Sequence, residues 1–388
     1  MEMTRRERLM ATLRGKSVDR PAVNLYEIGG LVMDPHDPDP FNVYNDTSWK
    51  PLLDLAENHT DIIRMRNPVR TESHRVWGDA QNDKDIRDEF LKTEAFEKNG
   101  CRTTHITLTV AGRTMTTTTR RELDVDTVWT TEHLLKSKED LLAYLQLPDE
   151  AFAETVDVTP LLEEERRLGD RGIVMVDTED PICAAAVLFS MEDYTILALT
   201  EQKLFHQLLE KLARYIWPRT VTVAKDFPGR LWRIYGPEFA TEPYLPPHLF
   251  DEYVVRYTGP MVRMIKDTGG FARIHVHGRI RNVLRSIVQM GADAIDPIEP
   301  PPQGDVHLAS VRNGYGKDLV LFGNLEIGDI ESMEPDDFEK VVRQVLSDGT
   351  SGDGRGFVLM PTASPFGRKI GARTMQNYET IVHVVEGS

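Results

Sequence analysis

The sequence predicts an α/β protein built on a parallel sheet, and three observations lead there. From about residue 150 onward, short β-branched runs alternate with helical stretches, the rhythm of βαβ units. The segments that follow those runs are rich in Asp, Glu, His and Asn, as expected where binding residues gather at the carboxyl ends of parallel strands. At 388 residues the chain is long enough for one large α/β domain or for two.

Taken in order, residues 4–13 read as a helix with Thr4 as its cap and Glu7 three positions on. Residues 22–25 form a first strand candidate, followed by a loop rich in Gly, Pro and Asp through Pro40. The threonine-rich runs 103–110 and 113–119 flank Ala111-Gly112, which predicts an antiparallel hairpin continuing toward Val128 and Trp129. This β excursion precedes the main sheet and either caps the side of the fold or helps to dock a partner. Ser137 then opens a helix with a capping-box pattern. The later strand candidates are 173–176, 231–235, 272–276, 292–295, 319–322 and 357–360, with helices over 204–217, 249–266 and 281–289. Residues 1–150 thus carry the helix, first strand and excursion, residues 151–388 the rest, and the two parts are expected to make one structural domain.

Composition narrows the setting. A net charge of −16 argues against a nucleic-acid surface, which needs a basic face. The two cysteines, Cys101 and Cys183, provide neither a disulfide framework nor a thiolate pair for a metal. No apolar run is long enough to span a bilayer or to act as a signal peptide, so a cytoplasmic protein is expected.

The most telling stretch is Phe271-Ala-Arg-Ile-His275-Val-His277-Gly278. Side chains at i and i+2 of a strand share a face, so the two imidazoles converge at a strand end, where they could bind a metal, move a proton, or line a polar cleft. Other strand ends add Glu179, Glu238, Glu299, Asn324, Glu326 and Thr362. Acids are favoured at helix N-termini, and Glu326 is assigned to such a position; Glu299, between prolines, is assigned to the site. The catalytic candidates are His275, His277, Glu238, Glu299 and Asn324. Tyr26, Tyr235, Glu179 and Thr362 are the substrate-binding candidates, while Trp232 and Tyr244 are read as packing aromatics.

The opening Thr4-Arg-Arg-Glu7 through Asp19-Arg20-Pro21 resembles the N-terminal signature of the uroporphyrinogen decarboxylase superfamily, which includes cobalamin-linked methyltransferases. The series His275-Val-His277-Gly, Gly291-Ala-Asp293, Leu321-Phe-Gly323-Asn324-Leu and Met360-Pro361, with Asn377 in a final helix, is similar to its C-terminal half. The resemblance implies a (β/α)8 TIM-type barrel, here with an N-terminal β-hairpin excursion, and a site at the strand C-termini. Two departures select a branch. The decarboxylases carry an arginine-rich segment after Asp-Arg-Pro, where this chain has Asn24-Leu-Tyr26-Glu27-Ile-Gly-Gly30. An acidic, arginine-free mouth is therefore expected, unsuited to a polycarboxylate. The thiol-methylating branch holds zinc with His-x-Cys and a later Cys, where this chain has His275, His277 and Thr362 or Ala363.

The resemblance then implies a methyltransferase of the O-demethylase type, moving a methyl group from a small donor to a corrinoid protein; aromatic candidates beside the His and Glu cluster favour a methoxylated aromatic, with a quaternary or tertiary methylamine left open. The chain's nearest approach to a corrinoid-ligating pattern, Asp34-Pro-His36, lacks its glycine, so the corrinoid is expected on a separate partner. If zinc is retained, its ligands are expected to be His275 and His277 with Glu238 or Glu299. A homodimer is left open. So are two other classes: a small-acid lyase using the histidines as acid and base, and a non-catalytic binding barrel.

Overall fold

The structure, a computed structural model, describes residues 2–71, 89–152 and 154–387. Its strands, in chain order, are β1 (Ala22–Val23), β2 (Ile62–Arg66), β3 (Val69–Thr71), β4 (Leu91–Lys98), β5 (Cys101–Val110), β6 (Arg113–Glu122) and β7 (Val128–Glu132). They continue with β8 (Thr155–Asp157), β9 (Gly172–Glu179), β10 (Leu231–Tyr235), β11 (Phe271–Val276), β12 (Ala294–Pro297), β13 (Val320–Leu325) and β14 (Phe357–Pro361). Eight of these form one parallel sheet in the order β1-β14-β13-β12-β11-β10-β9-β2. Its two end strands meet where Asp61 N donates to Val23 O at 2.7 Å and Asn24 Nδ2 donates to Asp61 O at 3.1 Å. The expected (β/α)8 barrel is the fold.

Period-2 alternation separates the barrel's two faces. Ala22, Ile63, Met65, Ile173, Met175, Leu231, Ala294, Val320, Phe322, Val358 and Met360 pack together inside, with Leu9 and Leu13 of the helix Arg5–Leu13 joining the same cluster. The intervening residues, such as Val174, Trp232, Ile274, Ile295 and Leu321, pack into the outer cluster with the helices. Trp232 is therefore a packing residue, as read. The predicted capping box is present: the Thr4 hydroxyl accepts from Glu7 N, and Glu7 returns a bond to Thr4 N.

The predicted strands lie within two or three residues of the observed ones, but β2 was not anticipated. Its inner face is apolar, whereas on the outer face Arg64 bonds Glu57 and Glu164, so charge interrupts the expected run. The helix Gln202–Asp226 runs through Pro218 well beyond residue 217, because Ile216, Thr220, Val223 and Ala224 bury its face on both sides of the proline.

The excursion is a four-stranded antiparallel sheet, β4-β5-β6-β7. Near the Ala111-Gly112 turn, Leu108, Val110 and Met115 join the main core, and Arg113 reaches Asp140 and Ser137 at the start of the helix Lys138–Tyr144. The hairpin tip thus packs on the barrel's flank. The opposite end of β6 reaches the mouth, where Asp126 N donates to Phe366 O at 2.7 Å and Arg368 N donates to Asp124 O at 2.8 Å. β4 was also unanticipated, since Leu91–Lys98 is mostly exposed and charged and lacks a buried alternating face. No helix among the described residues is long and apolar enough to cross a membrane.

Asp61 gathers the N-terminal signature onto the barrel's closing edge. Its carboxylate is fully buried and accepts from Arg8 at 2.6 Å, from Arg20 at 2.9 Å and from Val23 N at 2.9 Å. Arg8 is also held by Asp19 at 2.7 Å and 2.9 Å. Replacing Asp61 by Ala leaves buried Arg8 with one of its two carboxylates and frees the strand end. Urea unfolding of Asp61→Ala should show a loss of about 3–5 kcal/mol, whereas exposed Lys340→Ala should change little.

Candidate functional site

Above the apolar plug, the next inward positions are charged. Arg233 of β10 bonds Asp177 of β9 at 2.6 Å and 3.2 Å and donates to the Tyr26 hydroxyl. Arg273 of β11 pairs with Asp296 of β12 at 2.9 Å and lies 4.7 Å from the centre of the Phe322 ring. Arg273 and Asp296 are fully buried, so each satisfies a charge that would otherwise be costly to enclose.

The two histidines stand on this layer. Register places His275 opposite Asp296, and the imidazole Nδ1 lies 2.8 Å from Asp296 Oδ2. His277 Nδ1 lies 2.7 Å from Glu299 Oε1, while Glu299 Oε2 accepts from Gly278 N at 2.7 Å. The rings meet edge to face, 4.6 Å between centres. Because each Nδ1 faces a carboxylate, each Nδ1–H is the donor and each Nε2 is left without a protein partner among the described residues.

Their environments separate their charge states. Burial depresses His275 to about 4 despite the attraction of Asp296, so its Nε2 is a neutral acceptor at pH 7. His277 also loses solvation, but the hydrogen bond and charge of Glu299, helped by Glu238, outweigh that loss and raise it above the ordinary histidine value. Burial would raise Asp296, yet Arg273 and His275 hold it at about 2, and Glu299 is likewise lowered by His277. Two adjacent imidazoles with opposed proton affinities make a natural acceptor and acid.

A cavity of about 390 Å³ opens over them. Tyr26, Tyr235, Glu238, His275, His277 and Thr362 line it, together with Glu27, Leu31, Tyr44, Asp126, Arg233 and the loop Ala363–Phe366. Tyr26 has a left-handed backbone at φ 60°, unusual for a bulky residue. Asn24 Oδ1 accepts from its N–H at 2.9 Å, and its ring stacks over His275, 6.2 Å between centres. Gly236, at φ 120°, turns the chain after β10; a Cβ there would collide with Asp180 and Cys183. The turn lets Glu238 face the cavity with one oxygen accepting from Gly236 N at 3.0 Å, and burial raises its proton affinity.

Other expected residues lie elsewhere. Glu179 pairs with Arg219 of the helix Gln202–Asp226 at 2.8 Å and does not line the cavity. Asn324 donates to Ile298 O at 2.9 Å and also lies outside the lining, its Oδ1 buried without a hydrogen-bond partner. Tyr244 is partly exposed and away from the cavity. Glu326 takes the N-cap position of the helix Ile327–Ser332 but makes no cap bond; Thr362 Oγ1 accepts from Ile327 N at 3.2 Å instead.

The expected arginine-free mouth is corrected by Arg233. Arg233 sits inside β10 and not after it, where strand-end reasoning does not reach, although an arginine between Trp232 and Ile234 is itself a sign of an inward charge. Phe366, just past the last barrel strand, was similarly within reach of that logic. Tyr44 and Asp126 come from distant loops, with the Tyr44 hydroxyl donating to Asp126, and no local pattern marks them.

The donor set falls short of the expected zinc site. Among the described residues no three His, Cys, Asp or Glu side chains form a ligand group. Glu299 is spent on His277 and Gly278, and Glu238, although it lines the same cavity, forms no three-residue ligand group with the imidazoles among the described residues, where a catalytic zinc takes three protein ligands.

A closed (β/α)8 barrel with an imidazole–carboxylate site at its strand C-termini is the class these features define. The uroporphyrinogen decarboxylase (URO-D) profile matches residues 127–364, and the chain belongs to that family. No curated protein matches the sequence. Among solved structures, a methyltransferase from Methanosarcina mazei shares 13% identity with a TM-score of 0.58, the match covering 100% of this chain and 99% of that one. At that identity the likeness is one of fold.

The histidine assignments can be read without a substrate. In a ¹⁵N NMR titration, His275 should stay neutral until pH approaches about 4, and His277 should lose its proton only above the ordinary histidine value. Glu299→Gln should lower the His277 midpoint, because the group that favours its cation is gone. A His277 midpoint unchanged in that variant would contradict the assigned pairing.

Proposed function

We propose that this protein transfers a methyl group from a small methoxylated aromatic to a corrinoid carried by a separate protein. The observation that carries the reading is His277 bonded to Glu299, which favours its cation, beneath an aromatic-lined cavity. An aryl ether is a poor electrophile because its oxygen must leave with negative charge, and a proton delivered to that oxygen removes the difficulty. His277 Nε2 is the donor, held in orientation by Glu299. Tyr26, Tyr44, Tyr235 and Phe366 provide apolar faces for the ring. Arg233 adds little net attraction for polyanions, since Asp177 neutralises it.

A Co(I) corrinoid supplies the electron pair that takes the methyl carbon. The methyl–oxygen bond breaks with its electrons passing to oxygen, which receives the His277 proton. The partner covers the cavity mouth at the strand C-termini, the end at which Leu31 and Phe366 are exposed. Family membership and the shared fold with a methyltransferase support this reading without specifying donor or acceptor.

The test is to mix the protein, cob(I)alamin and methoxyarenes and follow methyl–cobalt formation by absorbance. Turnover should depend on cobalt and fall by about 10²–10⁴-fold in His277→Gln. It should also fall as pH rises through the raised midpoint of His277, because the acid is then lost. Carbon dioxide release from a small acid without cobalt would replace this reading with a lyase. Turnover of a quaternary methylammonium alone, insensitive to His277, would keep methyl transfer but reject the ether. Stoichiometric zinc that disappears in His277→Ala would substitute a Lewis acid for the proton, and no turnover with any donor would leave only a binding barrel.

A further inference from the structure

Ether activation uses one histidine and leaves the other unexplained. His275 is fixed more firmly than His277: Asp296 holds its Nδ1–H at 2.8 Å, Tyr26 stacks on its ring, and the strand pairs on both sides. Tyr26 is itself tied to Arg233 through its hydroxyl and to Asn24 through its N–H. This support aims a bare Nε2 acceptor into the cavity beside the Nε2–H donor of His277. An ether oxygen can use the donor, but it has no hydrogen to give to the acceptor.

We propose that the preferred substrate carries a free phenolic hydroxyl on the ring carbon next to its methoxy group, with His275 accepting from the hydroxyl while His277 donates to the ether oxygen. The inference rests on the methyl-transfer reading and adds the recognition chemistry of the same site. Vicinal ring oxygens lie on the order of one hydrogen-bond length apart, about 2.7 Å. Two imidazoles in edge contact, 4.6 Å between centres and 86° between planes, can approach such a pair from adjacent directions. His275 has no need to remove the hydroxyl proton, since accepting a hydrogen bond suffices. The groups facing it are Asp296 from β12, Arg233 from β10, Tyr26 from beyond β1 and His277 just past the end of its own strand; Asp296 takes its one N–H. A ring lacking the vicinal hydroxyl would leave the acceptor facing an apolar edge, a loss comparable to an unmade buried hydrogen bond.

The experiment compares 2-methoxyphenol, 3-methoxyphenol and methoxybenzene with cob(I)alamin as acceptor. The wild-type kcat/KM should favour 2-methoxyphenol by roughly tenfold or more over either of the others. In His275→Ala the preference should collapse toward equality, whereas in His277→Gln all three should be lost together. The conservative His275→Gln, which retains an acceptor oxygen, should recover part of the preference. Equal rates on all three substrates in the wild type, or a preference for 3-methoxyphenol, would overturn the vicinal reading while methyl transfer stands. A wild-type preference that survives intact in His275→Ala would remove His275 from recognition. If none of the three is demethylated, the ether-demethylation reading fails first and takes this inference with it.

Discussion

The site depends on the barrel closing, and closure depends on one buried carboxylate. Asp61 binds Arg8, Arg20 and Val23 N, and its own backbone joins the first strand to the second. A parallel sheet cannot satisfy the backbone groups of its outermost strands unless they are covered or paired. Asp61 also holds Asn24 through its carbonyl, and Asn24 in turn fixes the backbone of Tyr26, whose ring stacks on His275. The N-terminal signature is therefore remote from the chemistry but necessary to its geometry.

Between the apolar plug and the cavity lies a layer in which two arginines meet two aspartates. Each ion pair is local and hydrogen-bonded or in close contact, so the site experiences oriented dipoles more than a net charge. This is why a chain charge of −16 says little about the cavity itself. It also explains how neighbouring histidines can differ: His275 is enclosed by the layer, while His277 stands closer to the opening and draws on Glu299 and Glu238.

Much of this was legible in the sequence where one periodicity dominated. Seven barrel strands, the capping box at Thr4 and the shared face of His275 and His277 all follow from local spacing. The second strand was concealed by Arg64 and Arg66, whose partners lie in other elements. Glu179 could not be separated from the site by its place at a strand end, because its partner Arg219 is 40 residues away. Conversely, Asp126 reaches the mouth through tertiary packing of the excursion, which no motif records. Glu299 was grouped with the histidines from its place after a strand, but that it bonds His277 and Gly278 N could be seen only in the hydrogen bonds themselves.

The register between β11 and β12 has a chemical meaning as well as a structural one. It decides which imidazole hydrogen is anchored by which carboxylate, and thereby which nitrogen is offered to a guest. A slip of one residue would turn Asp296 to the opposite face and leave His275 free to adopt its other tautomer. Proton placement in this cavity is thus inherited from strand alignment, so a barrel of the same shape could acquire a different donor–acceptor code by moving a single acidic residue along one strand.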